Sequence, residues 1–301
     1  MDKNEYHNPV LLKECIEGLN ITGGGIYVDV TYGGGGHSKA ILEKLGSGKL
    51  LALDQDEAAH ANRVKDDRLI LLKENFRDLE SALRARGVEA IDGLLADLGV
   101  SSHQFDTADR GFSIRFDSEL DMRMDQGQKQ TAADVLNDYS EQQLKQLFRE
   151  YGEIDNAGQL ARVIFAKRKE KRIRTVNELR AAVEGCVKRG KENQYLAQLF
   201  QALRIEVNDE LGALKQLLVQ GTRMLRQGGR LVVIAYHSLE DRLVKNYIRD
   251  GKFEGDADRD FYGNRLVPLK AINKKPIEPT QEEIQENNRA RSAKLRVAEK
   301  I

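Results

Sequence analysis

The sequence predicts an α/β protein: a mostly parallel sheet buried on both faces, with an all-helical segment inserted into it. Three observations lead there. Short apolar runs alternate with helical patterns through the first hundred residues, the alternation stops from about Arg110 to Val207, and a buried-strand pattern resumes at Arg230.

Taken in order, IYVDVT (26–31) reads as the first strand, followed by four glycines, Gly33 to Gly36, and a helix from Ser38 to Leu45. KLLALD (49–54) is the second strand and Ala58–Val64 the next helix. RLILLKEN (68–75), a helix over 78–87 and the strand GLLADLGVS (93–101) complete the first run. Continuous apolar strands joined by helices describe parallel pairing with both faces covered. The insertion carries its own helix starts: Ser140 with Gln143 and Thr175 with Glu178 form capping boxes. Leu196, Leu199, Phe200, Leu203, Val207, Leu211, Leu214 and Leu218 mark a long amphipathic stretch ending at Gly228-Gly229. RLVVIAYHS (230–238) is the returning strand, 251–281 reads as loop, and KLRVAEK (294–300) is a final strand. The expected domains are therefore 1–109 with 208–301, and 110–207, the insertion following the carboxyl end of strand four, where open α/β sheets bind ligands.

Composition bounds the function. The 301 residues are 40% hydrophobic and 32% charged. There is no apolar run of about 18 residues to cross a bilayer. The N-terminus lacks a signal peptide's apolar core, so a cytoplasmic location is expected. Cys15 and Cys186 have no paired spacing, which predicts two reduced thiols and no metal site. Net charge is zero but unevenly spread: between Arg162 and Lys191 eleven Lys/Arg face three Glu. Such a basic region, centred on KRKEKRIR (167–174), fits either a polyanion grip or a solvated helix face.

The glycine loop sits between a strand and a helix, where backbone N–H groups approach a ligand closely. Asp54 closes strand two, about twenty residues on, where a carboxylate accepts hydrogen bonds from a ribose diol. Asp97 lies near the end of strand four. Ser38 occupies the place of the third glycine in G-x-G-x-x-G, and no P-loop register matches. Asp29, beside the loop, suits a cation better than a pyrophosphate. S-adenosylmethionine, with a ribose, an ammonium, a sulfonium and no phosphate, satisfies these charges. A nicotinamide-dependent oxidoreductase is disfavoured by the missing glycine.

The motifs HNPVLL (7–12), DVTYGGGGHS (29–38), LDQD (53–56), DLGVSSHQFD (97–106), RGFSIR (110–115), LDMRMD (120–125), FQALRIEVNDEL (200–211), HSLEDR (237–242) and RARSAKLR (289–296) occur in order along the whole chain. Together they make the sequence resemble the bacterial 16S ribosomal RNA cytosine-N4 methyltransferases. The resemblance implies a Rossmann-like class I methyltransferase sheet with an inserted helical substrate-recognition domain. It places S-adenosylmethionine at Gly35, Gly36, His37, Asp54, Phe76, Asp97 and Gln104. Read on their own, His37 is equally a polar helix-start residue and Phe76 a core aromatic. The implied reaction is methylation of a cytidine N4 amine in small-subunit 16S rRNA, on the assembled or assembling subunit. Asp97 would accept a hydrogen bond from the amine, with Ser101 and Ser102 as helpers, or would serve the cofactor alone. Arg115, Arg123, Lys167, Arg168, Lys171, Arg172 and His237 are the expected RNA contacts, although Ser238 with Asp241 also reads as a capping box. The chain departs from the family pattern with AYHS at 235–238, and it carries Asp97-Leu98-Gly99-Val100 where DNA amine methyltransferases have Asp/Asn/Ser-Pro-Pro-Tyr. A binding-only ribosome assembly factor would have no need of intact glycines and acids. A homodimer is compatible with the sequence and required by nothing in it.

Overall fold

A computed structural model describes residues 9–61, 63–99 and 107–301. The chain forms two compact units, Met1–Gly99 with Leu211–Ile301 and Val100–Glu210.

The first unit is built on a seven-stranded sheet: β1 Ile26–Asp29, β2 Lys49–Leu53, β3 Leu69–Leu72, β4 Ile91–Asp97, β5 Leu225–Ala235, β6 Leu269–Ala271 and β7 Lys294–Lys300. Its order is β3-β2-β1-β4-β5-β7-β6. The five strands from β3 to β5 pair in parallel, and β7 runs antiparallel between β5 and β6. This is the Rossmann-like, mostly parallel sheet expected from the sequence. Its helices are α1 Leu12–Leu19, α2 Gly36–Lys44, α3 Glu57–His60 and α4 Leu79–Arg84. In the second unit lie α5 Ala132–Asp138, α6 Glu141–Glu150, α7 Ala157–Glu170, α8 Val176–Val183 and α9 Glu192–Asn208. Then α10 (Glu210–Met224) leads into β5, and α11 (Ser238–Asp250) and α12 (Gln281–Glu286) follow.

Strand periodicity explains the three layers, since successive side chains point to opposite faces. Val28, Leu51, Leu53, Leu94, Ala96, Leu231 and Val233 enter one core with residues of α4, α10 and α11. Their neighbours Tyr27, Leu50, Ala52, Leu95, Val232 and Ile234 enter the other with residues of α1, α2 and α3. Fully burying each Leu or Val in this way stabilises the fold by about 1.5–3 kcal/mol.

Several elements differ from the sequence expectation. The segment 251–281 holds β6, a three-residue edge strand with one buried side chain. The long amphipathic stretch is two helices, because Asp209 takes a left-handed conformation (φ 47°) and ends α9. The helix before β5 stops at Met224, and β5 starts at Leu225 with a register shift before Arg230. The strand predicted to reach Ser238 ends at Ala235. His237, rather than Ser238, caps α11, its Nδ1 accepting the Glu240 N–H at 3.4 Å.

The second unit has its own core, with Leu144, Leu147, Phe148, Leu160, Leu179, Leu199 and Leu203 buried together. Both expected capping boxes form, and Thr131 with Asp134 makes a third. Cys15 and Cys186 are buried free thiols. Among the described residues no helix is long and apolar enough to cross a membrane.

Candidate active site

Strand order reverses between β1 and β4, so the crevice beyond their carboxyl ends is the switch point of the sheet. Three aspartates stand at carboxyl ends there: Asp29 on β1, Asp54 just past β2 and Asp97 on β4. Their surroundings give each a different capacity.

Asp29 is 1% exposed. Its Oδ2 accepts the Ser38 hydroxyl at 2.7 Å, and its Oδ1 accepts the Thr31 N–H at 3.1 Å. Thr31 Oγ1 in turn accepts the Asp97 N–H at 2.7 Å, tying β1 to β4. A carboxylate so enclosed joins the glycine loop to the start of α2. Its hydrogen bonds and its burial make it part of the frame that holds the crevice.

Asp54 is half-buried. It accepts the Gly33 N–H at 2.8 Å on Oδ2 and the Asp56 N–H at 2.9 Å on Oδ1. Burial pushes its pKa up to about 6, against the opposing pull of those two N–H donors. Each oxygen keeps a lone pair for a further donor. The loop after β2 is tied to the loop after β3 by Asn75 Nδ2, which donates to Gln55 Oε1 at 2.7 Å. Phe76 follows, partly buried against the core, at the start of a short 3-10 turn capped by Asn75.

Asp97 has a side chain 24% exposed. Its Oδ1 accepts the Tyr236 hydroxyl at 2.7 Å, and its Oδ2 lies 3.8 Å from His37 Nδ1. Burial raises the Asp97 pKa, while His37 and the Tyr236 hydrogen bond hold it down. The Tyr236 hydroxyl is pushed well above its usual range by burial and by Asp97. On the other side of its ring, His37 Nε2 donates to the Val10 carbonyl at 3.0 Å, which leaves Nδ1 to face Asp97.

The glycine loop owes part of its composition to the protein itself. A Cβ on Gly36 would fall 2.3 Å from Pro9 Cγ, and one on Gly35, which has φ +77°, would fall 2.6 Å from the Tyr32 hydroxyl. At Gly33 (φ +49°) the nearest heavy atom would be 3.9 Å away. There the requirement is conformational and the backbone is open.

A family model described as the MraW methylase family matches residues 4–301. The chain belongs to the MraW methylase family. Relatives include the ribosomal RNA small subunit methyltransferase H of Christiangramia forsetii, 56% identical over 298 residues (99% of this chain and 98% of that one). The protein of the same name from Flavobacterium johnsoniae is also 56% identical, with the same coverage. That from Parabacteroides distasonis is 53% identical, covering 98% of each chain. This methylase is therefore a methyltransferase, and its cofactor is S-adenosylmethionine.

The methylase site fits that cofactor. Asp54, with lone pairs to spare and part of its surface in solvent, would take the ribose hydroxyls. The open Gly33 backbone and the start of α2 at Gly35, Gly36 and His37 offer a cradle without phosphate-binding cations. The exposed part of Phe76 is available to cover an adenine, while its remainder is core. Asp97 lies beside this group, its Oδ2 3.8 Å from His37 Nδ1. Gln104, Ser101 and Ser102 lie outside the described residues.

The expected RNA contacts divide. In the helical unit Arg115 is exposed. Lys167, Lys171 and Arg172 are also exposed, and each pairs with a nearby acid: Glu170, Glu178 and Asp138. Exposed pairs of this kind contribute about 0–1 kcal/mol, so a phosphate can displace the acid. Arg168 is more committed, donating to the Leu136 carbonyl at 2.8 Å and stacking 4.5 Å from the Phe165 ring centroid. Arg123 is engaged within its own loop. Its guanidinium grips Asp121 at 2.8 and 2.7 Å and donates to the Gln126 and Gln128 carbonyls, which makes it the frame of its own loop. His237 is engaged as well. Its side chain is 9% exposed and is used as a helix cap, with Nε2 3.2 Å from Glu240 Oε1. Sequence reasoning missed Tyr236, Tyr32 and Pro9, although all three lie inside quoted motifs.

Proposed function

We propose that the protein transfers a methyl group to the exocyclic N4 amine of a cytidine in small-subunit 16S ribosomal RNA, on the assembled or assembling subunit. The names and full-length similarity of the relatives support the rRNA part of this reading. The observation that carries the chemistry is Asp97: a partly exposed carboxylate at the switch point, with one oxygen held by Tyr236 and the other turned toward His37.

When bound, S-adenosylmethionine supplies an electrophilic methyl group on a sulfonium. The protein's task is alignment and the handling of one proton. A cytosine amine is a weak nucleophile because its lone pair is delocalised into the ring. Asp97 accepts a hydrogen bond from that amine and so favours a localised lone pair. As the carbon–nitrogen bond forms and the carbon–sulfur bond breaks, the nitrogen's surplus proton passes to the Asp97 carboxylate. A carboxylate with a raised pKa is a better proton acceptor than an ordinary one. The target base must leave its stack, which favours a single-stranded or looped region. The helical unit serves substrate recognition, with Arg115, Lys167, Lys171 and Arg172 meeting phosphates.

Tritiated S-adenosylmethionine offered to small ribosomal subunits, protein-free RNA and DNA tests the reading. Label on a cytosine N4 of the subunit's RNA is the expected result, and label on DNA alone would sink it. An Asp97→Ala variant is expected to retain cofactor binding and lose transfer. Normal transfer by that variant would remove Asp97 from the chemistry.

A further inference from the structure

At the opposite end of the sheet from the aspartates lies a second feature. β7 runs antiparallel to β5, so Lys300 at its end sits beside the start of β5, with Glu299 opposite Arg230. The end of α10 leads into β5 at the same level, and α11, 13 residues long, carries the chain there from the active-site end, a distance of about 20 Å. These elements enclose a cleft of about 650 Å³. Four cations line it, Lys215, Arg223, Lys252 and Lys300, against one acid, Glu254. Its floor is aromatic: Tyr247 and Phe253 stack with centroids 5.0 Å apart, and Lys215 Nζ lies 5.9 Å from the centroid of the Phe253 ring. Neither Lys215 nor Lys300 has a carboxylate partner among the described residues.

The segment that forms one wall continues into an ordered turn. Lys252 pairs with Asp258 at 2.6 Å, and Arg259 and Arg265 face each other across an antiparallel bridge. Asp260 holds the tip, accepting the N–H groups of Tyr262 at 2.9 Å and Asn264 at 2.8 Å. The turn presents Phe261, 98% exposed, and Tyr262, 86% exposed, packed edge to face. Two large rings on a hydrogen-bonded tip expose apolar surface at an entropic advantage, because the backbone is already fixed. An apolar protein partner would want a wide uncharged surround. Here the rings lie between Arg259 and Arg265 in sequence, next to Asp258 and Asp260, and the Lys252–Asp258 pair ties the turn to a cleft lined by four cations and one acid. Rings with flanking cations form the stacking platform and backbone track of single-strand recognition.

We infer that the cleft at Lys215 and Lys300, together with the Asp258–Leu266 turn, is a second RNA-binding surface that takes single-stranded RNA, with phosphates in the cleft and unpaired bases on Phe261 and Tyr262. The inference rests on the rRNA reading of the active site. It adds a contact remote from the methylated base, so it governs affinity and not chemistry.

Fluorescence anisotropy with a labelled single-stranded RNA oligonucleotide, at several salt concentrations, tests it on the full chain. Each ring removed in Phe261→Ala and Tyr262→Ala is expected to weaken binding about fivefold or more. Lys215→Gln with Lys300→Gln is expected to flatten the slope of log affinity against log salt by about 1.4. S-adenosylmethionine binding should be unchanged, and on small subunits KM should rise while kcat stays near wild type. Unchanged RNA affinity in all three variants, with wild-type methylation intact, would overturn the inference and leave the rRNA reading standing. A wild-type protein that neither binds nor methylates RNA would overturn both. If sedimentation shows a wild-type dimer that Phe261→Ala dissociates, with RNA affinity unaltered, the turn is a self-association contact and the inference fails.

Discussion

Lowering pH should loosen the cofactor through a single carboxylate. Asp54 is the acceptor we propose for the ribose diol, and burial lifts its pKa to about 6. Only the ionised form offers both oxygens as acceptors. Apparent affinity then follows the ionised fraction, falling by about tenfold between pH 7 and pH 5 and tenfold more for each further unit. The sign for stability runs the other way. A carboxyl whose folded pKa exceeds its ordinary 3.8 binds more protons folded than unfolded, so the ligand-free protein loses stability as pH rises from 3.8 to about 6. At 1.36 kcal/mol per pH unit the loss is at most about 3 kcal/mol, and the partial exposure of Asp54 reduces it. Calorimetric titration with S-adenosylhomocysteine from pH 5 to pH 8 measures the effect. The Asp54→Asn variant assigns it: its amide must turn an N–H toward the Gly33 or Asp56 N–H, so binding weakens at least tenfold and becomes flat with pH. A wild-type affinity that is flat across this range, or an Asn variant that keeps the pH dependence, would refute the reasoning.

Two other perturbations probe the same crevice. Tyr236→Phe removes the donor on Asp97 Oδ1, so the Asp97 pKa rises further and the acid limb of the methylation rate moves up by about one to two pH units. Activity at high pH should remain near wild type, and an unmoved limb would show that Asp97 does not control the rate. Gly36→Ala places a methyl against Pro9 Cγ and should destabilise the fold by about 1–3 kcal/mol, read as a lower melting temperature. Pairing it with Pro9→Ala should recover most of that loss, and no recovery would mean that the clash is not the cause.

Much of the sheet was legible because parallel strands buried on both faces are written as continuous apolar runs, and each run fell on an observed strand. β6 was illegible: Leu269 is its one buried residue, so no alternation marks it. The break at Asp209 was hidden because the leucine spacing continues across it from Val207 to Leu211. Thr131 with Asp134 carries the same pattern as Ser238 with Asp241, yet only the first forms a box, so the spacing alone does not tell a real cap from a false one. In the site, strand-end acids could be read one by one. Tyr236 could not, since its bond to Asp97 spans 139 residues of chain and depends on β4 and β5 being neighbours. The glycine run was also only half legible. It signals close approach without saying by what, and at Gly35 and Gly36 the neighbours are Tyr32 and Pro9.

The three aspartates show why residue type and position alone leave a role undetermined. Each stands at the carboxyl end of a parallel strand, yet the donors around them differ. Asp29 has a hydroxyl on one oxygen and an N–H on the other and is 1% exposed, so its charge is spent inside the protein. Asp54 receives one backbone N–H on each oxygen, which fixes its plane and leaves its outer lone pairs for a diol. Among the described residues Asp97 receives one side-chain hydroxyl, and its second oxygen faces a histidine 3.8 Å away, beyond a normal hydrogen bond. Counted over the described residues, Asp97 has the fewest fixed donors of the three, which leaves it the most freedom to accept a new one, as a proton acceptor must during reaction. Substitution by asparagine should therefore harm folding at Asp29, cofactor affinity at Asp54 and turnover at Asp97, three separable outcomes from one change of chemistry.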